Sequence, residues 1–419
     1  MPALPGAARP GMCTDCGVSR LGDGRACGRA CQFIQPNYPK AEARVHGRLP
    51  GAGDESFFGV HKAMYRARLA EPAEGAQWTG ITTELAAELL RTGRVDAVLA
   101  VVPAADDRWR PEPAIITDPA DMARARGMRM GYAPLLAALE PAIASGHRRI
   151  AVIAIPCQVY ALRQIEASLG LDRLYVIGTP CSDNTTTEAF HGFLARLDPE
   201  PETISYLEFR ADYRVELRFD DGRAPRVVPF LQLPLSDLPD DFWPLTCRTC
   251  VDYTNRLADV TVGYMAGEGD QWLIVRNARG AEIVAGLGDR LQLSPVGSGG
   301  KREAAVRGFM ANTERAAGGL PLRRMPGFLR GLVGWLQPRI GPRGLEFARA
   351  RLEMKAVETV LHLRRKHPAR MKNMVPDHVW GLVARYGLAP GPGETQTGDA
   401  APRAPKEGEP SSPRLPRTG

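Results

Sequence analysis

The arrangement of eight cysteines constrains this 419-residue chain more than any other feature of its sequence. Six of them fall in close pairs, at Cys13 and Cys16, at Cys27 and Cys31, and at Cys247 and Cys250. Cys157 and Cys181 stand alone, in the sequences IPC and TPC, and each follows a predicted strand. Short spacings let one turn of backbone present two sulfur atoms, so the pattern favours two sets of four metal-binding thiolates over disulfides.

Two metal chemistries are compatible with such sets. Two 4Fe–4S clusters need four thiolates each. A structural zinc ion also takes four thiolates, so the spacing of the N-terminal set alone does not distinguish zinc from iron–sulfur. A lone cysteine is commonly a buried core residue. Cys247 and Cys250 nevertheless need two further ligands, and Cys157 and Cys181 are the cysteines that remain.

Alternating helix and strand patterns predict the fold of the central region. Three successive helix–strand pairs are expected, at 82–91 and 95–102, at 134–145 and 149–155, and at 159–169 and 174–178. Strands that alternate with helices of this length indicate βαβ units and a mainly parallel sheet. From residue 204 the period changes to alternating runs, with Asp221-Gly222 as a hairpin turn, which indicates an antiparallel addition.

Composition divides the chain into four zones. Residues 1–40 are rich in glycine, carry four cysteines and lack a core pattern, so they need a metal to fold. Residues 41–302 form the α/β core, 303–388 are helical and basic, and 389–419 read as a disordered tail. The predicted fold is therefore α/β: a mainly parallel sheet core with an antiparallel addition, an N-terminal metal-binding segment (zinc or iron–sulfur) and a C-terminal helical region.

Charge and hydropathy limit the partners and the location. Residues 321–388 hold 14 Arg and Lys against four acids, without a nucleic-acid motif, so we expect an acidic protein partner and no nucleic acid. The apolar stretches are too short to span a membrane, and the N-terminus lacks a secretory signal, so a cytoplasmic protein is expected. The apolar segment Phe328–Leu336 could contact a membrane surface or pack on the core.

Six stretches of sequence carry a family resemblance. They are QWTGITTELAAELL (77–90), IPCQVYALRQIE (155–166), TPCSDNTTTEAFHGFL (179–194), YLEFRADYRVEL (206–217), CRTCVDYTNRLADVTVGYM (247–265) and IGPRGLEFAR (340–349). Together they resemble the beta-subunit family of deazaflavin (factor 420)-dependent hydrogenases and dehydrogenases. Within that family they look like the ferredoxin-dependent branch of chlorophyll metabolism, which includes divinyl chlorophyllide 8-vinyl reductases and 7-hydroxymethyl chlorophyll a reductases.

The resemblance implies FAD, two 4Fe–4S clusters, reduced ferredoxin as electron donor and a chlorophyllide-type tetrapyrrole as substrate. It implies cluster ligands in both parts of the chain, namely Cys13, Cys16 and Cys31 near the N-terminus and Cys157, Cys181, Cys247 and Cys250 in the core. Relatives often carry a third cysteine where this chain has Ser19. Because serine is a poor iron ligand, Cys27 is the expected substitute.

The resemblance also implies a flavin site on the segment that precedes the first predicted helix. Its candidate residues are Gln77, Trp78, Thr79 and Gly80, where backbone N–H groups at a helix N-terminus could bind a phosphate. Without the resemblance, the same residues would be a plain capped helix start.

Three residues beside the cysteines are further candidates. Asp183 and Asn184 follow Cys181 and are expected to face the same cleft, and Asp183 is either a proton donor or a helix cap. Tyr253, close to Cys250, could stack on the flavin or pack in the core.

The expected function is that of an iron–sulfur flavoprotein that reduces the 8-vinyl group of divinyl (proto)chlorophyllide a to ethyl with electrons from ferredoxin. This makes it an oxidoreductase that acts on a CH–CH group. The alternatives are reduction of the 7-hydroxymethyl group of a chlorophyll or of a deazaflavin, a non-catalytic electron-transfer subunit, and a zinc-stabilised binding protein.

Overall fold

The computed structural model describes residues 13–24, 26–34, 36–210, 212–264, 270–299, 302–316 and 325–396. Its strands are β1 (Ala63–Leu69), β2 (Ala97–Pro103), β3 (Pro111–Ile116), β4 (Arg149–Ala154), β5 (Arg173–Gly178), β6 (Ile204–Phe209), β7 (Arg214–Phe219), β8 (Arg226–Pro229), β9 (Val260–Tyr264), β10 (Gln271–Val275) and β11 (Leu291–Pro295). Its helices are α1 (Ala26–Ala30), α2 (Tyr38–His46), α3 (Glu55–Phe58), α4 (Ile81–Arg91), α5 (Leu139–Ala144), α6 (Pro156–Ile165), α7 (Thr187–Leu197), α8 (Leu245–Arg248), α9 (Ala278–Ala285), α10 (Glu303–Arg315), α11 (Gly327–Ile340), α12 (Gly344–Lys366), α13 (Met371–Met374) and α14 (His378–Val383).

Eight strands form the main sheet, in the order β11-β1-β10-β9-β5-β4-β2-β3. Its centre is parallel, because β2 pairs with β4, β4 with β5, and β5 with β9 in the same direction. Both edges are antiparallel: β3 pairs with β2, and β10, β1 and β11 follow β9 in alternating directions. The predicted parallel core is therefore confirmed, and the antiparallel edges of the same sheet are a finding of the structure.

Helices cover both faces of the central strands, as is usual for parallel strands. Continuous apolar runs such as those of β2, β4 and β5 suit strands that are buried on both sides. Leu99, Val152 and Val176 belong to one buried cluster with α6 and α12, whereas Val98 and Ala151 belong to a second with α4 and α9. The predicted helix–strand pairs lie within a few residues of the observed elements.

The antiparallel addition is a separate three-stranded sheet in the order β6-β7-β8. Asp221 and Gly222 lie in the turn between β7 and β8, where Gly222 has a φ of +85°. This left-handed conformation suits glycine, so the predicted Asp-Gly turn is confirmed. The inner face of the sheet packs on α7 through residues such as Phe190, Leu207 and Val215.

The described part of the cysteine-rich segment joins the main core. Val18 and Ala30, in the cysteine-rich segment, are buried in the same cluster as Leu352 of α12. The backbone N–H of Leu136 donates to the carbonyl of Cys16 at 2.9 Å, so the segment is also tied to the core by hydrogen bonding. The described residues of the first sequence zone thus pack on the main core.

The predicted tail begins in contact with the C-terminal helices. Arg364 of α12 forms an ion pair with Glu394 at 2.6 Å, and the N–H of Gln396 donates to Asp377 at 2.7 Å. Residues 397–419, the larger part of the tail expected at 389–419, lie outside the described residues. In the described part of the chain, no helix combines the length and apolar character that crossing a bilayer requires.

Candidate cofactor site

The structure brings the eight cysteines into two neighbouring groups. Electrostatic interactions link the thiols of Cys13, Cys16, Cys27 and Cys31, and likewise those of Cys157, Cys181, Cys247 and Cys250. Cys16 also interacts with Cys157, so the two sets lie side by side. All eight are free thiols, so no disulfide competes for them. We call the first set the N-terminal thiol group and the second set the core thiol group.

The core thiol group forms where two neighbouring parallel strands end. Helix α6 begins at Pro156, immediately after β4, which places Cys157 in its first turn; the sequence pattern predicts this helix only from 159. Proline is favoured at the first position of a helix because its missing N–H is not needed there. Cys181 follows β5, so both thiols lie at the carboxyl edge of the sheet, where α/β proteins usually bind ligands.

Asn255 fixes this edge from the loop that follows the second C-x-x-C. Its side-chain amide donates to the carbonyls of Ala154 at 2.8 Å and Thr179 at 3.3 Å, at the ends of β4 and β5. Asn255 has a φ of +59°, in the left-handed region that asparagine tolerates better than most residues. In the same loop, the carbonyl of Tyr253 accepts from the N–H of Cys181 at 3.2 Å.

Backbone N–H groups point at six of the eight sulfur atoms. The N–H of Asp15 donates to Cys13 at 3.2 Å. Corresponding bonds reach Cys16, Cys31, Cys157, Cys247 and Cys250 from Val18, Phe33, Gln158, Asn184 and Asp252. Hydrogen bonds to sulfur stabilise negative charge on thiolates and tune the potential of iron–sulfur clusters. These hydrogen bonds therefore suit cysteines that bind a metal or an iron–sulfur cluster as thiolates.

Two side chains of the N-terminal segment reach across to the core thiol group. The hydroxyl of Thr14 donates to the sulfur of Cys157 at 3.5 Å, and the amide of Gln32 donates to the sulfur of Cys250 at 3.4 Å. Thr14 lies between two cysteines of its own group, and Gln32 follows Cys31 directly. The two thiol groups are thus joined by side-chain hydrogen bonds, a link that the spacing of the cysteines does not predict.

Burial makes the core thiol group, and also Cys16, Cys27 and Cys31, reluctant to ionise without a positive partner. It raises the pKa of Cys31 and of Cys250, each to about 11. It also raises the pKa of Cys181, which the thiols of Cys247 and Cys157 raise further. A bound metal supplies the missing positive charge and deprotonates a coordinating thiol outright.

A single metal ion and a cluster require different spacings of the same sulfur atoms. Among the residues that the structure describes, no three His, Cys, Asp or Glu side chains lie close enough together to hold one metal ion. In a 4Fe–4S cluster, each cysteine thiolate binds one of several irons, so the four sulfurs need not converge on one point.

Asp183 lies beside the core thiol group in a network of ion pairs with α12. Its carboxylate accepts from Arg351 at 2.7 Å and from Lys355 at 2.8 Å. Lys355 also donates to the carbonyl of Cys247 at 2.6 Å, and Arg351 donates to the hydroxyl of Ser182 at 3.0 Å. Burial lowers the pKa of Lys355, but the carboxylates of Asp183 and Glu358 outweigh burial and raise it overall. These contacts are those of a charge-paired carboxylate; the assignment of Asp183 as proton donor stays a prediction.

Asn184 and Tyr253 have different surroundings. The side chain of Asn184 pairs with both backbone groups of Gly131, accepting from its N–H and donating to its carbonyl at 2.9 Å each. It therefore fastens the loop around Gly131 to the end of β5. Tyr253 is 3% exposed, and burial raises its pKa. The charge of Arg351 and the thiol of Cys181 both influence Tyr253, which places it between α12 and the core thiol group.

The predicted flavin segment forms the loop that leads into α4. Trp78 donates from its backbone N–H to the carboxylate of Glu208 at 3.0 Å and from its indole to the carbonyl of Phe209 at 3.3 Å. Gln77 donates to the carbonyl of Leu207 at 3.2 Å, and Thr79 donates to Gln271. Three of the four candidates thus hold the loop against β6 and β10.

The fourth candidate, Gly80, is the residue that immediately precedes α4. It has a φ of +87°, and no side chain caps the first turn of this 11-residue helix. Such a helix start offers free N–H groups and a positive dipole end, which suit a phosphate of FAD. Beside it, the Trp78 ring stacks on Tyr264 with centroids 5.1 Å apart, and Tyr264 contacts Phe347 of α12. A helix start and an aromatic pair of this kind suit a cofactor that carries a phosphate and a flat ring; FAD at this place stays a prediction.

Sequence reasoning missed the contribution of the C-terminal helix. Arg351, Lys355 and Phe347 come from α12, far along the chain from the residues that they contact, which are Asp183, Cys247 and Tyr264. The sequence instead predicts one basic region that meets an acidic partner. In the structure Arg349 and Lys355 are buried, whereas Arg365 and Lys366 are exposed. Only part of the predicted positive charge therefore faces solvent.

Comparison with known proteins agrees with this architecture. Residues 64–140 match the N-terminal part, and residues 147–297 the C-terminal part, of the coenzyme F420 hydrogenase/dehydrogenase beta subunit. A solved structure of the F420-reducing [NiFe] hydrogenase complex from Methanosarcina barkeri contains a chain with the same fold, at a TM-score of 0.56 and 18% identity, over 75% of this chain and 94% of that chain.

Two sequence relatives cover most of the chain. The 7-hydroxymethyl chlorophyll a reductase of rice is 36% identical over 91% of this chain and 84% of its own length. An uncharacterized protein of Nostoc is 36% identical over 92% of this chain and 96% of its own length. A subunit of the F420H2 dehydrogenase of Methanosarcina mazei is 26% identical over 52% of this chain and 61% of its own length. This chain therefore belongs to the coenzyme F420 hydrogenase/dehydrogenase beta-subunit family.

Proposed function

We propose that this protein is an iron–sulfur flavoprotein that uses electrons from reduced ferredoxin to reduce the 8-vinyl group of divinyl (proto)chlorophyllide to ethyl. The observation that carries the proposal is the pair of thiol groups joined by Thr14 and Gln32. Two adjacent four-thiol sites suit a protein that passes electrons one at a time. The rice relative named as a chlorophyll a reductase supports a chlorin substrate.

The cofactors that we propose bridge a mismatch in electron number. Clusters accept single electrons from ferredoxin, whereas a flavin stores two and can release them as a hydride, as reduction of a vinyl group requires. The N-terminal and core thiol groups would each hold one 4Fe–4S cluster. The uncapped start of α4 at Gly80, with Trp78 and Tyr264 beside it, would hold FAD.

The protein's own residues would position these groups and keep water out. Asn255 and Asn184 hold the ends of β4 and β5, and with them Cys157 and Cys181, in fixed places. The buried ring of Tyr253 would help to keep water from the core thiol group. Arg351 and Lys355 hold the carboxylate of Asp183, which would have to release one of these cations before it could carry a proton to the substrate.

Two other functions have a specific observation in their favour. The name of the rice relative favours reduction of a 7-hydroxymethyl group on the chlorin ring. The similarity to a subunit of an F420H2 dehydrogenase favours an electron-transfer subunit that feeds a partner enzyme. We place both of them second. The cysteine motifs resemble both kinds of chlorin reductase, so they do not favour the 7-hydroxymethyl reaction over the vinyl reaction. The order follows the expectation from the sequence, which is reduction of the vinyl group.

The cofactor part of the proposal is tested by anaerobic purification followed by metal and flavin analysis. We expect about eight irons and one FAD per chain, since eight thiolates make two four-thiolate sites. The visible spectrum should show a broad cluster shoulder beneath the flavin bands, and reduced ferredoxin should bleach both. Stoichiometric zinc with negligible iron would contradict the proposal.

A further inference from the structure

Helix α11 exposes an unusual amount of apolar surface. Phe328 is 80% exposed, Trp335 61% and Ile340 67%. Leu329 and Leu332 of the same helix are exposed as well. These five residues are half of the exposed large apolar side chains in the described part of the chain, although the helix has only 14 residues. Isolated exposed apolar residues are normal, but a contiguous patch marks an interaction site.

The spacing of these residues gives α11 two different faces. Phe328, Leu332 and Trp335 are four and three residues apart, so they line one side of the helix. Gly334 faces the other way and is buried, with the Cβ atoms of Leu231 and Pro229 within 3.7 Å of the position that its own Cβ would occupy. The helix is therefore anchored on the segment after β8 and directs its apolar side outward.

The charged side chains that α11 itself carries are all positive. Helix α11 carries Arg330 and Arg339, Arg343 follows it, and residues 325–343 contain no acidic side chain. The guanidinium of Arg339 lies 4.6 Å from the centre of the exposed Trp335 ring. A cavity of about 380 Å³ between α11 and β7 is lined by Arg214 and Arg339 together with Trp335. Arginine beside exposed aromatic rings is typical of helices that lie in a lipid headgroup region.

We propose that α11 is a membrane-surface helix that binds anionic lipid. Phe328, Leu332 and Trp335 would enter the boundary between headgroups and acyl chains, and Arg339, Arg343 and Arg214 would meet the phosphates. A second copy of the chain fits less well, because a two-fold contact through this face would bring Arg339 and Arg343 close to their own copies. This inference rests on the surface of α11 and is independent of the proposed reaction.

Sedimentation of the cofactor-loaded protein with lipid vesicles tests the proposal. We expect binding to vesicles of phosphatidylcholine with phosphatidylglycerol, weaker binding to phosphatidylcholine alone, and a decrease as salt rises. The double variant Phe328→Ser/Trp335→Ser should lower the partition coefficient by about tenfold or more, because it removes the two largest apolar contacts. Arg339→Glu/Arg343→Glu should abolish the preference for the anionic vesicles.

A matched control separates this surface from general stickiness. Leu49 is 60% exposed and lies in the loop after α2, so Leu49→Ser should bind vesicles like the unaltered protein. All variants should keep the cluster and flavin spectrum. Absence of binding to anionic vesicles at low salt would overturn the proposal. So would a dimer, seen by analytical ultracentrifugation without lipid, that the Phe328→Ser/Trp335→Ser variant dissolves.

Discussion

The side-chain amide of Gln32 donates a hydrogen bond to the sulfur of Cys250, 3.4 Å away, across 218 positions of the sequence. Gln32 follows a cysteine of the N-terminal thiol group, whereas Cys250 belongs to the core thiol group. Tyr38 holds the amide in place, since its hydroxyl donates to the Gln32 carbonyl oxygen at 2.9 Å. The residue that directly follows Cys31 is therefore part of the polar environment of the core thiol group.

This contact predicts an effect of Gln32 on the core cluster. A hydrogen bond to a cysteine sulfur stabilises the more negative, reduced form of a cluster and so raises its reduction potential. We expect Gln32→Leu to make the potential of one cluster more negative and to leave the iron content near that of the unaltered protein. Redox titration followed by electron paramagnetic resonance measures both clusters. Tyr38→Phe, which keeps the Gln32 amide, should give a smaller shift; equal potentials in all three proteins would contradict the assignment.

The grouping of cysteines predicts which cluster each variant loses. Cys250→Ser should remove the core cluster and lower the iron content from about eight to about four per chain, because the other four thiols form a separate group. Cys27→Ser should instead remove the N-terminal cluster, since we expect Cys27 to replace the ligand that relatives often carry at the position of Ser19. Iron analysis and spectra of the two variants should therefore be complementary. Loss of all iron in both would mean that the sites depend on each other for folding.

The contacts of Asp183 predict a loss of stability when its charge is removed. Lys355 is 1% exposed, so Asp183→Asn would leave its ammonium buried, with the carboxylate of Glu358 at the longer distance of 3.5 Å. Breaking a buried ion pair from one side costs about 3–5 kcal/mol. We expect a clearly lower melting temperature for the loaded Asp183→Asn variant.

The matched test removes both charges together. Asp183→Asn/Lys355→Met should regain most of the lost melting temperature, because no uncompensated charge stays buried. A different outcome would support the proton-donor assignment: an Asp183→Asn variant that keeps its melting temperature and its flavin reduction by ferredoxin but loses pigment reduction.

The exposed basic side chains among residues 321–388 lead to a prediction about how an acidic ferredoxin would dock. Arg365 and Lys366 are exposed, although Arg365 also donates to the carbonyls of Thr313 and Glu314, and Arg364 pairs with Glu394. Attraction between these charges and an acidic ferredoxin would be screened over about 8–10 Å at physiological salt. Ferredoxin-driven turnover should therefore fall steeply with ionic strength, and reduction by dithionite should hardly change.

Charge reversal tests the same docking surface directly. Arg365→Glu/Lys366→Glu should raise the KM for ferredoxin without changing the cluster spectrum, since charge complementarity acts mainly on the encounter rate. Arg148→Glu/Arg196→Glu, on exposed residues of other elements, is the matched control. A flat salt profile would mean that this region does not steer the donor.

Local patterns made the parallel core and the hairpin of the small sheet predictable, because strands such as β4 and β5 are short apolar runs between helices. The strand β1 was missed although AMYRARL alternates buried and exposed residues, a period that would have identified it. The link from Arg351 and Lys355 to Asp183 could not be predicted, since it depends on how α12 packs after the sheet has formed. For the same reason the stacking of Trp78 on Tyr264 needed the structure.

The central claim is that this protein passes ferredoxin electrons to a chlorin ring. The most direct measurement is an anaerobic assay of the isolated, cofactor-loaded chain with reduced ferredoxin, in which divinyl protochlorophyllide and 7-hydroxymethyl chlorophyll a are supplied separately and the pigments are resolved by chromatography. The account predicts conversion of the divinyl pigment to its 8-ethyl product, dependent on ferredoxin and lost in Cys250→Ser. Conversion of the 7-hydroxymethyl pigment alone would contradict the vinyl assignment, and no pigment conversion by protein with full clusters and flavin would contradict the claim itself.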